Sequence, residues 1–387
     1  MAATTLLIVI SFCAILIDIN DIYAEYGINE CNITLPTLFL FCLQWTLVLI
    51  PLHLLSRLDF EPHIPLKGTM IYALTGLVAL SSFVMLANSL GDIRDALIMD
   101  LADVRNEHYK DIQQGMEGSG NYLMVIPSLL TNNPFPTLAL FFWFYMKTFM
   151  KVPLLIRASI FIASIAQAII AITISGRAAM IYWAFDFFLI YSFFYRYIPF
   201  RTKLTINLTS GVLGSLAATL FISITIARFD SGTNDPFASL YGYAGQHINN
   251  FCTMIIHGGG TPFLPDRVLP LLTKLTTGVT YDMVEHYEAL GKGTSAIVNV
   301  FDTFGGEVFL DLGWIGYILM LLLLGLLCIY IKSSFKVLQF HHSFILVIFI
   351  AFFTHGLFAW PFTSYYATYA LILIFICFFF FKYKFEV

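Results

Sequence analysis

Two carboxylates stand at the entrance to a long apolar run. The segment FDTFGGEVFLDLGWIGYILMLLLLGLL (301–327) contains Glu307 and Asp311, and no charged residue follows them within it. Residues four positions apart share one face of a helix, and like charges placed there favour a nearby cation or the uptake of a proton. A carboxylate in this setting could accept the proton of an attacking hydroxyl group. Glu307 is therefore the first candidate catalytic residue.

The same segment also has a purely structural explanation. Asp302 or Thr303 could cap the N-terminus of a helix, and Glu307 would then complement the positive end of the helix dipole. Asp311 lies one turn deeper, where this explanation fits it less well. We expect its substitution to affect assembly more than chemistry.

Arginines at the predicted outer edge of the membrane could bind phosphate. Arg177, Arg228 and Arg267 each lie close to the end of an apolar run or in the long polar segment that follows. A guanidinium group stays charged and binds phosphate oxygens through two parallel hydrogen bonds. We therefore predict a diphosphate clamp, in which Arg177 or Arg228 could also be the cation facing the two carboxylates.

Each arginine has an ordinary alternative role. Arg177 could extend to the membrane interface along its own aliphatic chain. Arg228 could pair with Asp230, and Arg267 could pair with its neighbour Asp266. The sequence leaves these alternatives open.

The stretch SLYGYAGQHINNF (239–251) combines aromatic, amide and imidazole side chains. Tyr241 and Tyr243 could stack on sugar rings, and Asn250 could bind sugar hydroxyls. His247 could serve as a base near neutral pH. The alternative is an ordinary polar turn with a solvated histidine.

Several kinds of chemistry lack their sequence signals. The chain has no histidine-rich cluster, DxD pair, Walker A loop or nucleophile elbow, so we expect no metal and no cofactor. Its six cysteines form no CxxC pair. A disulfide between Cys31 and Cys252 stays open, because both fall in segments predicted to lie outside.

The composition identifies the environment in which these residues act. The chain has 387 residues, of which 59% are hydrophobic and only 11% charged. Soluble domains carry about 25% charged residues. The net charge of -4 offers no basic surface for nucleic acid. We predict an all-α, multi-pass membrane protein that forms a single integral membrane domain over 1–387.

Spanning helices need about 20 apolar residues, and the sequence offers about ten such segments. Basic residues fall in every second connection, so the positive-inside rule places both termini in the cytoplasm. The predicted spans are 3–19, 35–54, 68–90, 122–146, 154–175, 178–197, 205–227, 307–331, 343–360 and 363–381. The fourth contains TNNPFP and could be broken there.

Two longer segments are predicted to lie on the outer face. The first, 91–121, has apolar residues at helical spacing and is expected to include a surface helix. The second, 228–306, is too long for a structureless loop. We expect it to hold short helices at the interface, for example over 267–275.

The motifs in this order resemble the O-antigen and oligosaccharide repeat-unit polymerases, the Wzy-type family. TISGRAAMI resembles that family's arginine turn, with Arg177 in the arginine place, and LADVRNEHY resembles an outer-loop stretch, with Arg105 as its arginine. YGYAGQHINNF resembles the family's aromatic-glycine turn. The closing signature would consist of Asn299, Thr303, Glu307, Asp311, Gly313 and Gly316.

The resemblance implies an inverting, metal-independent glycosyltransferase with a fold similar to the C-type glycosyltransferases. Such an enzyme joins undecaprenyl-diphosphate-linked oligosaccharides into O-antigen or capsular polysaccharide on the outer face of the bacterial inner membrane. A chain-length regulator and a flippase are the implied partners. Glu307 and His247 would be catalytic. The residues implied to bind substrate are Arg105, Arg177, Arg228, Tyr241, Tyr243, Asn250, Arg267 and Asp311.

Other membrane proteins share parts of this pattern. An O-antigen ligase has the same architecture and moves the finished chain to a lipid core. A polysaccharide or lipid-carrier flippase is expected to have two similar halves and charged groups within its membrane helices. A membrane acyltransferase would use a histidine, but His341 and His342 lie on the predicted inner face without an aspartate partner.

Overall fold

The structure, a computed structural model, is almost entirely helical. It describes residues 33–60, 68–98, 124–171, 178–229, 236–258, 267–278, 303–362 and 364–383. No strand occurs within these ranges, where the only β-type pairing is an isolated bridge between Phe60 and Leu338. The predicted all-α class is therefore confirmed for the described part of the chain.

The described ranges contain thirteen α-helices. They are α1 (Leu35–Arg57), α2 (Gly68–Asn88), α3 (Leu90–Ile98), α4 (Val125–Thr131), α5 (Phe135–Phe149), α6 (Leu154–Ile170), α7 (Ala178–Phe194), α8 (Phe200–Phe229), α9 (Pro236–His257), α10 (Pro270–Thr277), α11 (Thr303–Ser334), α12 (His342–Thr354) and α13 (Tyr365–Tyr383).

Four of these helices are long and apolar enough to cross a membrane. They are α1, residues 71–88 of α2, α11, and residues 365–382 of α13, while α6 and α12 are shorter apolar helices. Large apolar side chains point outward from α11, including Ile315, Leu322 and Leu326. Contiguous apolar surface of this kind suits contact with lipid.

Most predicted spans coincide with a helix, with two informative exceptions. The predicted span 3–19 lies outside the described residues. The span predicted over 122–146 consists of two helices, α4 and α5, which are interrupted at residues 132–134. Pro134 and Pro136 favour this break, because proline ends a helix before it and is well tolerated at the start of the next one.

The chain forms two compact units. The first comprises Met1–Ile50, Tyr195–Leu327 and Gly356–Trp360, and the second comprises Pro51–Phe194, Cys328–His355 and Pro361–Val387. Helices α1 and α11 therefore contribute residues to both units. The two predicted outer segments fall in different units: α3 extends from Leu90 into 91–121, and α9 and α10 lie within 228–306.

The core of the second unit is built around α5 and α12. Ten of the fifteen residues of α5 and twelve of the thirteen residues of α12 are buried. A helix that is hydrophobic on all sides has no face for water and takes a central position. Helix α5 packs against α6, α7 and α12, and α2 packs against α4 and α6.

In the first unit, aromatic contacts join α1 both to α9 and to the start of α11. The rings of Phe41 and Phe251 lie 5.7 Å apart, and those of Trp45 and Phe304 lie 5.3 Å apart, both edge to face. Helix α9 also contacts α8. The polar beginning of α11 is thus held against two other helices.

Helix α11 is kinked at Gly313. This residue has φ 65° and ψ −165°, a conformation outside the helical region that only glycine adopts without strain. The kink separates the buried stretch 303–311, which contains both carboxylates, from the stretch with an outward apolar face. Gly313 therefore marks the boundary between the polar and apolar parts of this helix.

The kink leads to a prediction about glycine substitutions in α11. We expect Gly313→Ala to destabilise the protein by about 1–3 kcal/mol, because alanine is strained at this φ. The matched control is Gly325→Ala on the same helix, where an added methyl group meets nothing within 4 Å. Thermal unfolding of both variants in detergent micelles tests this. Equal melting temperatures for the two variants would contradict the predicted role of the kink.

Candidate functional site

A buried ion pair lies at the start of α11. The guanidinium Nη2 of Arg267 is 2.5 Å from Oε1 of Glu307, and the two side chains are 9% and 2% exposed. Arg267 lies just before α10, whereas Glu307 lies in the second turn of α11. Opposite charges in contact compensate for part of each other's loss of hydration.

Asp311 holds the backbone that carries the arginine. Its Oδ2 accepts hydrogen bonds from the backbone N–H groups of Arg267 at 3.2 Å and Val268 at 2.8 Å. Hydrogen bonds to a carboxylate are roughly twice as strong as those between neutral groups. The two carboxylates therefore differ in role: Glu307 faces the guanidinium, and Asp311 fixes the position of the segment that presents it.

Thr303, one of the two caps that the sequence offered, caps α11. Its Oγ1 accepts a hydrogen bond from the backbone N–H of Gly306 at 3.2 Å. The N–H of Phe304 donates to the carbonyl oxygen of Gly356 at 2.8 Å. Thr303 has φ 59°, which is unusual for a β-branched residue. The N-terminus of α11 is thus held in a strained conformation by contacts on both sides.

Two glycines let neighbouring helices approach this end of α11. A Cβ atom at Gly305 would overlap the side-chain oxygen of Gln44 on α1. At Gly306 it would lie 2.8 Å from the sulfur of Met254 on α9. The GG pair that precedes Glu307 is therefore required for close packing.

The polar stretch 239–251 is helical, which corrects the expected aromatic-glycine turn. It lies within α9, whose residues Gln246, His247, Asn249 and Asn250 are buried. The physical reason is visible in the sequence, because Ile248, Phe251 and Cys252 recur at helical spacing and pack inward. That spacing is the signal that sequence reasoning missed.

His247 is buried and neutral rather than solvated. Its ring meets Phe358 edge to face at 4.8 Å, and it forms a hydrogen bond to the backbone of Leu357. Burial lowers the pKa of His247 to about 3. A base is most effective when its pKa lies near the working pH, so this environment disfavours His247 as the general base.

Two buried amides have no hydrogen-bond partner among the described residues. They are the side chains of Gln44 on α1 and Asn249 on α9. Leaving such groups unpaired costs roughly 1–3 kcal/mol each. Both lie in the first unit, and both could donate and accept hydrogen bonds with the hydroxyl groups of a sugar.

The other predicted site residues are placed only in part. Arg105 and Arg177 lie outside the described residues, as do Cys31 and Asp266. Arg228 belongs to α8, and Tyr241 and Tyr243 belong to α9, but only their backbone is described. Cys252 is buried in α9. In the described ranges, no group of three or more histidine, cysteine, aspartate or glutamate residues could hold a metal ion.

Within the described residues, the cation in contact with Glu307 is Arg267. The sequence pointed to Arg177 or Arg228, and it offered Asp266 as the neighbour of Arg267. Arg177, Asp266 and the side chain of Arg228 lie outside the described part of the structure, whereas Arg267 contacts Glu307 across 40 positions of the chain. Such a pairing depends on the tertiary fold, and no local pattern could have identified it.

The second unit contains a buried acid that sequence reasoning passed over. Asp186 lies in the middle of α7, and its Oδ2 accepts a hydrogen bond from Oγ1 of Thr137 at 2.5 Å. An isolated ionisable residue within an apolar run is itself a signal of a functional site.

Comparison of the chain with protein-family models, curated proteins and solved structures finds no match. Any functional conclusion therefore depends on the residues themselves and on the motif resemblance.

The ion pair leads to a prediction about stability. We expect Arg267→Met or Glu307→Leu alone to destabilise the protein by about 3–5 kcal/mol, because each leaves one buried charge uncompensated. The double variant R267M/E307L removes both charges, and its free energy of unfolding should be close to that of the wild type. Unfolding in mixed detergent micelles would measure the free energy of each variant, and the double-mutant cycle would give the interaction energy between Arg267 and Glu307. We expect this interaction energy to be about 2 kcal/mol or more. Additive effects of the single changes would exclude an energetically important pair.

The burial of His247 leads to a prediction about pH. An unfolded histidine binds a proton below about pH 6.5, whereas the folded protein keeps His247 neutral until about pH 3. The free energy of unfolding therefore falls as the pH is lowered through this window. His247→Gln should remove about 2 kcal/mol of the decrease between pH 7 and pH 5.

The control for this measurement replaces a second imidazole on the same helix. His257 is exposed at the end of α9, so His257→Gln removes a surface histidine. If both variants flatten the pH profile of stability equally, the buried position of His247 is not the cause.

Proposed function

We propose that this protein is a polymerase that joins undecaprenyl-diphosphate-linked oligosaccharide repeat units into O-antigen or capsular polysaccharide. The observation that carries the proposal is the buried Arg267–Glu307 pair at the start of an apolar helix. A guanidinium and a carboxylate supply the two functions that this transfer needs, a cation for a departing diphosphate and an acceptor for a proton. The motif resemblance supplies the substrate class.

The proposed reaction is an inverting transfer in one displacement. The hydroxyl oxygen of the acceptor sugar attacks the anomeric carbon of the donor, and the bond from that carbon to the diphosphate oxygen breaks. Glu307 takes the proton of the attacking hydroxyl. The undecaprenyl diphosphate leaves with the electron pair of the broken bond, and Arg267 stabilises its charge.

The pairing of Glu307 with Arg267 links these two steps. In the described arrangement, the carboxylate of Glu307 is paired with the guanidinium group of Arg267. Once Glu307 accepts the proton, its charge is lost and the arginine is left uncompensated at the moment when diphosphate charge develops. An interaction that strengthens as the leaving group departs stabilises the transition state more than the ground state.

Other features of the first unit support a lipid-linked sugar as substrate. The unpaired amides of Gln44 and Asn249 could bind sugar hydroxyls. Beyond the kink at Gly313, α11 presents an outward apolar face along which a polyprenyl chain could lie. Asp311 and Thr303 would position the two reacting groups through the backbone contacts described above.

The proposal includes the finer topology predicted from the sequence. Ten spanning helices with both termini in the cytoplasm would place 228–306 outside the bacterial inner membrane. One contact supports this arrangement, since the N–H of Leu338 donates to the carbonyl oxygen of Asp59 at 2.9 Å. Both residues belong to connections assigned to the inner face. A flippase and a chain-length regulator remain the proposed partners.

Activity of the purified enzyme tests the role of the ion pair. With a lipid-diphosphate-linked repeat unit in nanodiscs, we expect Glu307→Gln to reduce the rate of chain growth by about 10²–10⁴. The double variant R267M/E307L should fold and yet be inactive, because it retains packing and loses both functional groups. Gly325→Ala is the control for changes within α11. Chain growth near the wild-type rate in R267M/E307L would show that the pair has only a structural role.

The phenotype of a deletion strain tests the functional class. Loss of a polymerase leaves a single repeat unit on the lipid core, whereas loss of a ligase or a flippase leaves none. Plasmid-borne wild type should restore long chains, and R267M/E307L should not. A complete loss of polysaccharide in the deletion strain would contradict the polymerase proposal and favour one of the alternatives.

A further inference from the structure

The second unit holds a buried carboxylate that the proposed reaction does not use. Asp186 lies midway along α7 and is only 3% exposed. Thr137 Oγ1 donates to its Oδ2 at 2.5 Å, within the range of hydrogen bonds to an ionised carboxylate. Thr137 belongs to the first turn of α5, where the helix dipole favours negative charge. These two features stabilise an ionised Asp186.

Burial opposes this charge. The hydroxyl group of Thr354 also lies beside the carboxyl group, but its proton is donated to the carbonyl oxygen of Ile350 at 3.0 Å, so the hydrogen bond from Thr137 compensates only part of the cost. The remaining oxygen of Asp186, Oδ1, is buried and has no hydrogen-bond partner in the described part of the chain. A buried carboxylate in this state needs a further positive or polar partner.

A second unpaired oxygen lies on the same cavity. Asn133 and Asp186 both line a cavity of about 20 Å³, which is room for one water-sized guest. The amide nitrogen of Asn133 donates to the carbonyl oxygen of Pro361 at 3.3 Å. Its Oδ1 therefore remains available, buried and without a hydrogen-bond partner among the described residues.

The backbone around Asn133 is suited to ion binding. This residue lies in the interruption between α4, which ends at Thr131, and α5, which begins at Phe135. In membrane proteins, non-helical backbone occurs where it lines a cavity, and interrupted helices commonly form the sites of small ions. The break predicted from TNNPFP therefore places Asn133 on the cavity.

The other groups around the cavity do not balance the charge of Asp186. Trp183 Nε1 donates to Oγ of Ser164 at 3.3 Å, and the ring of His355 lies 4.0 Å from that of Tyr182. Gln167 adds a neutral amide. No lysine or arginine lines the cavity in the described ranges, and Arg177 lies outside them.

We propose that this cavity binds a sodium ion, with Asp186 Oδ1 and Asn133 Oδ1 as its protein ligands. The donors are hard oxygen atoms, which prefer alkali and alkaline-earth cations to transition metals. A single carboxylate balances a single positive charge, whereas calcium takes 6–8 oxygen ligands and usually several carboxylates. The bound ion would connect α7 to the interruption between α4 and α5. This inference is independent of the proposed polymerase activity.

Thermal unfolding of the full-length protein in detergent tests the site. At constant ionic strength, replacing choline chloride with sodium chloride should raise the melting temperature of the wild type in a saturable way, because a ligand that binds only the folded state stabilises it. Binding of radioactive sodium should saturate over the same range. Asp186→Asn should lose both effects, and Asn133→Ala should shift both to higher sodium concentration.

The control variant is Asp92→Asn, which removes an exposed carboxylate on α3 and should keep the full sodium response. Equal melting temperatures of wild type in the two salts would overturn the proposal. In that case, an Asp186→Asn variant as stable as wild type would identify a protonated carboxyl group. A variant that is less stable in both salts would identify a pair with a basic side chain.

Discussion

The first unit depends on compensating two charges in a place that water does not reach. Arg267 and Glu307 are both buried, and either charge alone would cost several kcal/mol. Their contact requires the segment before α10 to meet the second turn of α11, and Asp311 fixes that meeting through two backbone N–H groups. The strained cap at Thr303 lies at the same end of α11, where Gly305 and Gly306 allow α1 and α9 to approach closely.

The second unit meets the same constraint in another way. Asp186 faces no basic side chain among the described residues that line its cavity, and it relies on a hydroxyl group and the start of α5. Its largely buried and mostly apolar neighbours α5 and α12 offer few further polar atoms. A carboxylate in such surroundings is retained at an energetic cost, which is why an intramembrane acid is a functional candidate by default. The bound cation proposed here would remove most of that cost.

The burial of polar groups also connects the structure to the proposed chemistry. An ion pair inside a protein is sensitive to the protonation of either partner, because the surrounding dielectric screens it weakly. Proton uptake by Glu307 would therefore remove the negative charge that compensates Arg267. His247 differs from Glu307, because burial lowers its pKa and keeps the imidazole neutral. The described arrangement thus favours the carboxylate over the imidazole as the proton acceptor.

The sequence alone determined the helical class and most helix positions, and it indicated a break near Pro134 and Thr303 as one of two candidate caps. These follow from the length and hydropathy of each segment and from local backbone chemistry, which neighbouring residues decide. It did not identify the partner of Glu307, the burial of His247 or the surroundings of Asp186. Arg267 lies 40 positions from Glu307, and Thr137 lies 49 positions from Asp186. Only the tertiary structure brings such residues together, because long-range packing, rather than local pattern, decides which buried charges meet.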